Sequence, residues 1–193
     1  MKTTLSLLTI ACALALSACG NKPAADADTA TTPAPAATEA APAPVEAAPA
    51  PAATPAASDK PAAVVADCAT EIEGNDAMQF NVGSIAIPAS CTNFKITLKH
   101  SGTMPVGAMG HNVVIAATAD MQGIEADGIA AGAANNYVKP GDTRVIAHTK
   151  LVGGGESDSV SFPVDKLKAG GPYEFFCSFP GHATVMKGTI TVG

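Results

Sequence analysis

Cys177, His182 and Met186 share one short loop, Cys177-Ser178-Phe179-Pro180-Gly181-His182-Ala183-Thr184-Val185-Met186, at a spacing of C-x4-H-x3-M. A thiolate and an imidazole are strong donors to soft or borderline metals, and a thioether is a weak one. Zinc sites take Cys, His and carboxylates, so a Met in the set argues against zinc. One thiolate, two imidazoles and a distant axial Met instead suit copper in an electron-transfer site. The loop supplies only one imidazole, so the second must come from elsewhere in the chain.

The sequence has four histidines. His100 closes an alternating stretch and His148 stands beside a turn. His111 lies where a Gly-rich loop, ending in Met109-Gly110, passes into the apolar run Val113-Val114-Ile115. Such a junction fixes a ring in place, and His111 is the candidate that completes a His2Cys set with Cys177 and His182. A lone His is ordinarily a packed or surface residue, and a lone Met ordinarily fills core. The shared loop is what weighs against those readings here.

Five cysteines sort by position. Cys12 lies in an apolar segment near the start, and Cys19 ends that segment. Cys68 and Cys91 stand at the beginning of the aromatic-containing region. In an exported protein these two are expected to be oxidised together, worth ~3 kcal/mol by loop closure. Cys177 is then the odd thiol, a flag for reactivity or metal binding.

The elements that must hold the loop are short strands. Cys68-Ala69-Thr70-Glu71-Ile72-Glu73 alternates, and Gln79-Phe80-Asn81-Val82 follows a Gly74-Asn75-Asp76 turn. Thr92 to His100 is the cleanest alternating stretch, with apolar side chains at every second place. Further strands are expected over 111–117, 144–148, 157–162, 173–177 and 187–192. Residues 101–110 read as a Gly-rich loop. Residues 120–131 read as a short helical flap outside the sheet, weakened by Gly123 and Gly128. About eight short strands separated by turn signals predict an all-β fold, a Greek-key sandwich or barrel.

The N-terminal part has a different character. Leu5 to Leu16 is an apolar run behind Met1-Lys2, too short to span a membrane as a helix. It ends in Leu16-Ser17-Ala18-Cys19-Gly20, which resembles a bacterial lipoprotein signal in which the Cys becomes the acylated first residue. Residues 1–18 are therefore expected to be a signal peptide and Cys19 the lipid attachment site. Three acyl chains would anchor firmly where one holds marginally. Gly20 after the Cys suggests sorting to the outer membrane. Residues 19–63 are rich in Ala and Pro: nine of the fifteen prolines fall between Pro23 and Pro61, where no aromatic residue occurs. Such a stretch cannot bury enough apolar surface to order itself and is expected to be a disordered, semi-stiff linker. It would reach roughly 130 Å if extended and ~40 Å as a coil. All eight Phe and Tyr residues lie from Phe80 onward, so residues 64–193 form the domain. That part holds eight Lys/Arg against twelve Asp/Glu, a net charge of −4, without a basic stripe. Nucleic acid is not an expected partner.

Four segments carry a resemblance to a known family: Met109-Gly110-His111-Asn112, Ala119-Asp120-Met121-Gln122-Gly123, Arg144 to Leu151, and Phe175 to His182. From about Cys68 to Val192 the domain resembles the azurins, which are cupredoxins. With the Cys19 signal and the Ala/Pro-rich lead, it is similar to the lipid-modified azurins of Gram-negative outer membranes. The resemblance implies one copper ion cycling between Cu(I) and Cu(II). Its equatorial ligands would be His111, Cys177 and His182, with Met186 as long axial donor and the Gly110 carbonyl as a weak fifth contact. It implies a Cys68–Cys91 disulfide, and a near-site His100 that is not a ligand. It also implies backbone N–H bonds from Asn112 and Phe179 to the Cys sulfur, and an Asn112 side chain tying the two ligand segments together. Met104, Met109, Phe179, Pro180 and Gly181 would form an apolar patch at the edge of His182. The expected partners are redox proteins such as c-type cytochromes, a copper nitrite reductase or a peroxidase, with no small-molecule substrate. The family has a core Trp where Val113 stands, and this chain has no Trp. Neighbours such as Phe80, Phe94 and Phe175 are expected to fill the volume.

Three other readings compete. A copper scavenger or store would share the ligands without needing fast exchange. A thiol enzyme would use Cys177 as nucleophile and His182 as base, but no third orienting residue accompanies them. A surface lipoprotein would act through its repeats.

Overall fold

The computed structural model describes residues 59–167 and 171–193. The expected signal peptide, Cys12, Cys19 and all of the linker up to residue 58 lie outside the described residues. Among the described residues nine strands run in chain order: β1 (Ala69–Asn75), β2 (Gln79–Phe80), β3 (Ser84–Ile87), β4 (Asn93–His100), β5 (Val114–Ala117), β6 (Val145–His148), β7 (Ser157–Pro163), β8 (Tyr173–Phe176) and β9 (Lys187–Val192). A one-turn helix, α1 (Val106–Met109), precedes β5, and α2 (Met121–Ala131) follows it.

Strand β4 shows why the sheets form. Phe94, Ile96, Leu98 and His100 point inward while the residues between them face out, the period-two pattern of a half-buried strand. β1 pairs with it in parallel, from Ala69 beside Lys95 to Gly74 beside His100, and β7 pairs on its other side. The first sheet has the order β2-β1-β4-β7, and the second the order β3-β9-β8-β5-β6. Their inner faces share one core, in which Phe80 and Phe175 meet at 5.6 Å between ring centroids. Val113 lies in this core, in one buried cluster with Phe80, Phe94 and Phe175.

Three differences from the sequence expectation have physical reasons. β3 was not foreseen, because Ser84-Ile85-Ala86-Ile87 is only four residues between Gly83 and Pro88; it forms because parallel pairing to β9 buries Ile85 and Ile87. The strand expected over 111–117 begins only at Val114, and His111 makes an isolated bridge to Val152. The Gly-rich loop contains the single turn α1. The flap, α2, is helical as expected. Its Ile124 packs with Val114, Ala116, Val138, Phe176 and Ala183 in a second, smaller cluster. Arg144 ties α2 to the approach to β6 by bonding Asp127 and Asp142, both at 2.6 Å.

β8 is buried along its whole length, with the main core on one face and the second cluster on the other. Glu174 lies on the second face and is only 6 % exposed. Its Oε2 has no hydrogen-bond partner among the described residues. Burial raises the pKa of this carboxyl, with Lys187 pulling the other way. A raised carboxyl pKa costs nothing below the unfolded value of ~4.3, and the full cost is present above the folded value. Glu174→Gln is therefore expected to stabilise the domain by ~1 kcal/mol at neutral pH. The gain should shrink towards zero near pH 4. Urea midpoints of both proteins at the two pH values check this; an equal difference at both would show that the charge is not the cause.

Candidate metal centre

The C-x4-H-x3-M spacing becomes a closed loop. The Cys177 N–H bonds the Met186 carbonyl at 3.0 Å, so the first and last donors form its neck. The His182 carbonyl accepts from the Met186 N–H at 2.8 Å, a helical turn that sets the thioether on the same side as the imidazole. Gly181 has φ of 81°, a value that favours glycine and turns the chain between Pro180 and His182.

His111 is held from two directions. Its backbone exchanges two hydrogen bonds with Val152, at 3.0 and 2.8 Å. Its Nε2 lies 2.9 Å from the Asn75 carbonyl. A carbonyl only accepts, so the ring proton sits on Nε2 and Nδ1 is left with a free lone pair. That Nδ1 is buried and, among the described residues, has no hydrogen-bond partner. Gly74 makes the close approach possible: a Cβ there would stand 2.7 Å from His111 Cδ2 and 3.5 Å from the Met186 methyl.

The donor atoms of His111, Cys177 and His182 lie within 4.8 Å of one another, and all three residues are buried. Cys177 Sγ is 3.6 Å from His182 Nδ1 and 4.0 Å from the Gly110 carbonyl. Met186 is wholly buried beside them. Burial pushes the Cys177 thiol up to about 12, although the N–H groups of Asn112 and Phe179 bond the sulfur and pull the other way. A thiol held that high is no nucleophile at neutral pH, which speaks against the enzyme reading. A cation beside it is what would favour the thiolate. Burial lowers His182 to about 4, with His111 adding to the effect. Burial also lowers His111, with the Asn75 carbonyl opposing. Both rings are thus neutral at pH 7, the form that can donate to a metal.

Asn112 joins the two ligand segments. Its Oδ1 accepts from the Ser178 N–H at 2.9 Å, and its Nδ2 donates to Ser178 Oγ at 2.9 Å and to the Asn136 carbonyl at 2.8 Å. The next backbone donor, Val113 N–H, bonds Thr149 Oγ1. His100 is packed behind His111 at 4.4 Å between centroids. Its Nε2 is 3.2 Å from Asp76 Oδ1, but the N–H direction is off line for a hydrogen bond. The Asp76 carboxyl is held below its ordinary pKa, chiefly by the Thr103 N–H. His148 is exposed with Nδ1 near the Thr149 carbonyl. Neither ring joins the donor cluster.

The rim is apolar. The Phe179 ring lies 4.6 Å from that of His182, which is itself 3 % exposed. Pro180, Gly181 and Val185 of the same loop are exposed, Val185 at 53 %; Met104 and Met109 belong to the 101–110 loop, Met104 being 37 % exposed and Met109 half-buried. Sequence reasoning did not find the roles of Gly74, Asn75, Thr149 and Asn136. Three of the four act through backbone or through the lack of a side chain, which residue type does not announce.

A free imidazole lone pair, a neutral imidazole and a thiol at one buried end fit a soft or borderline ion. Two sheets sharing one core, with this cluster of metal-binding side chains among the described residues, define a small β-sandwich metalloprotein with a mononuclear thiolate–imidazole centre. The family described as copper binding proteins, plastocyanin/azurin family, matches residues 66–193. The chain is 57 % identical over 127 residues to an azurin of Pseudomonas denitrificans, covering 66 % of this chain and 99 % of the relative. It is 58 % identical over 127 residues to the azurin of Bordetella pertussis, covering 66 % and 85 %. An azurin of Pseudomonas aeruginosa is 54 % identical over 129 residues, covering 67 % and 87 %. This chain belongs to the plastocyanin/azurin family of copper-binding proteins, and its cofactor is copper.

Proposed function

We propose that the protein carries single electrons through one copper ion. His111, Cys177 and His182 would hold it, with the Met186 thioether as a weaker donor and the Gly110 carbonyl beside the sulfur. The observation that carries this is the buried trio of donor atoms within 4.8 Å, with His111 Nδ1 left free for a metal. Copper held there supplies a Cu(I)/Cu(II) couple.

The protein's part is to keep the donors still and water out. Electron transfer is fast when the ligands need not rearrange. The loop neck, the Val152 bridge and Asn112 fix Cys177, Met186 and His111 to one another. The N–H groups of Asn112 and Phe179 at the sulfur draw density from it and so tune the potential. The apolar rim suits brief docking, since electron-transfer encounters are small. Its partners on this reading are redox proteins such as c-type cytochromes, a copper nitrite reductase or a peroxidase.

The same reading extends to the N-terminus. Residues 1–18 would be a lipoprotein signal, Cys19 the acylated residue, 19–63 a tether and 64–193 the domain, held at the outer membrane. Leu16-Ser17-Ala18-Cys19-Gly20 supports it. Among the described residues no helix is long and apolar enough to cross a membrane.

Self-exchange between Cu(I) and Cu(II) forms, read from line broadening in mixed NMR samples, tests the carrier reading. Fast exchange is expected. Slow exchange with tight copper binding would favour storage.

A further inference from the structure

We infer that Asn136 is a positioning residue for the metal centre, acting through Asn112 and Leu151. The inference rests on the copper reading above for what is positioned, but the contacts themselves do not.

Asn136 and Tyr137 follow the turn after α2, and both hold left-handed backbone, with φ of 57° and 52°. Consecutive left-handed residues that are not glycine are unfavourable, and such strain persists only where the surroundings fix it. Here three segments meet at these two residues. The Asn136 carbonyl accepts from Asn112 Nδ2 at 2.8 Å. The Asn136 Oδ1 accepts from the Leu151 N–H at 3.0 Å. Leu151 immediately precedes Val152, which exchanges both backbone bonds with His111. The Tyr137 ring meets the Phe179 ring edge-on at 5.2 Å, and Phe179 stacks on His182.

The consequence follows from the amide of Asn112. That side chain is fully buried and has two N–H donors, one given to Ser178 Oγ and one to Asn136. The second bond sets the rotation of the amide plane. The plane in turn sets how Ser178 and the Cys177 segment stand against the Asn112 backbone N–H that bonds the sulfur. The left-handed turn aims the Asn136 carbonyl at Asn112 while its side chain reaches Leu151. One residue therefore braces the segment of the first His and the segment that clamps that His. It also gives α2 and its following turn a connection to the site that packing of Ile124 alone does not.

Three variants of the full chain test this. Asn136→Gly suits the left-handed backbone and keeps the carbonyl bond to Asn112, removing the whole side chain and with it the bond from the Leu151 N–H. Asn136→Asp keeps both acceptors. Asn136→Leu removes the side-chain acceptor and strains the turn. In the metal-free protein, hydrogen exchange of the Leu151 amide is expected to quicken at least tenfold in the Gly and Leu variants and to stay near the parent in Asp. In the copper-loaded protein, self-exchange is expected to slow about tenfold in Gly, the scale of effect seen when groups supporting a ligand are lost. The visible band should shift with it, and Asp should restore both. A Gly variant with parent-like self-exchange and band would overturn the inference, as would an Asp variant as impaired as Leu. If the parent itself shows no copper band, the copper reading has failed; the brace then stands or falls on the Leu151 exchange alone.

Discussion

Cys177→Ser is expected to abolish the intense visible absorption of the Cu(II)-loaded protein while leaving the fold intact. The colour of such a centre needs a thiolate on the metal, because only a soft, easily oxidised donor gives a charge-transfer band in the visible. A serine hydroxyl in the same place is a hard donor that stays protonated at neutral pH. The change is small for the fold: the side chain remains buried, and the Asn112 and Phe179 N–H groups that bond the sulfur meet an oxygen instead. The loop neck from the Cys177 N–H to the Met186 carbonyl uses only backbone. Copper affinity should fall at least tenfold, since the strongest of the three clustered donors is gone. Titration with Cu(II) followed by visible spectroscopy checks this beside a urea curve. Retained colour would put the thiolate elsewhere and sink the proposed ligand set, because among the described residues the other two cysteines are joined in a disulfide.

The ease with which this centre is read from sequence differs from residue to residue. Cys177, His182 and Met186 stand in one loop whose closing bonds are local, so their spacing carries the geometry almost directly. His111 is distant in sequence; its position at a loop-to-strand junction made it a candidate, and the family resemblance added weight. Asn75 contributes through its carbonyl and Gly74 through the absence of a Cβ, so a turn signal is all that Gly74-Asn75-Asp76 shows in sequence. Asn136 is hidden for the same reason, because its contact to Asn112 is a backbone one. The sheets were legible where alternation is long, as in β4, and illegible where four residues depend on a partner strand, as in β3. Glu174 went unremarked in sequence because nothing in its neighbours announces that α2 and the second cluster cover that face of β8.

The double variant Cys68→Ala/Cys91→Ala is expected to lose ~3 kcal/mol of stability, by the loop-closure entropy of a bridge whose ends are 23 residues apart. With the urea dependence of a domain this size, that lowers the midpoint by on the order of 2 M. The visible band of the copper-loaded protein should not move. The reason is placement. Cys68 immediately precedes β1, and the contact with the site comes at Gly74 and Asn75, at the other end of that strand. Cys91 likewise precedes β4, whose far end is His100. At ~3.3 Å per residue the strands separate the bridge from the donors by roughly 20 Å. The disulfide therefore restricts the unfolded chain and fastens the start of the first sheet, while Asn112, Val152 and the loop neck hold the donors locally. Removing both cysteines also avoids free thiols that would compete for Cu(II). A shifted band in a still-folded variant would mean that the bridge reaches the centre through β1 and β4, and that the stiffness of the site belongs to the whole sandwich rather than to the segments around Asn112.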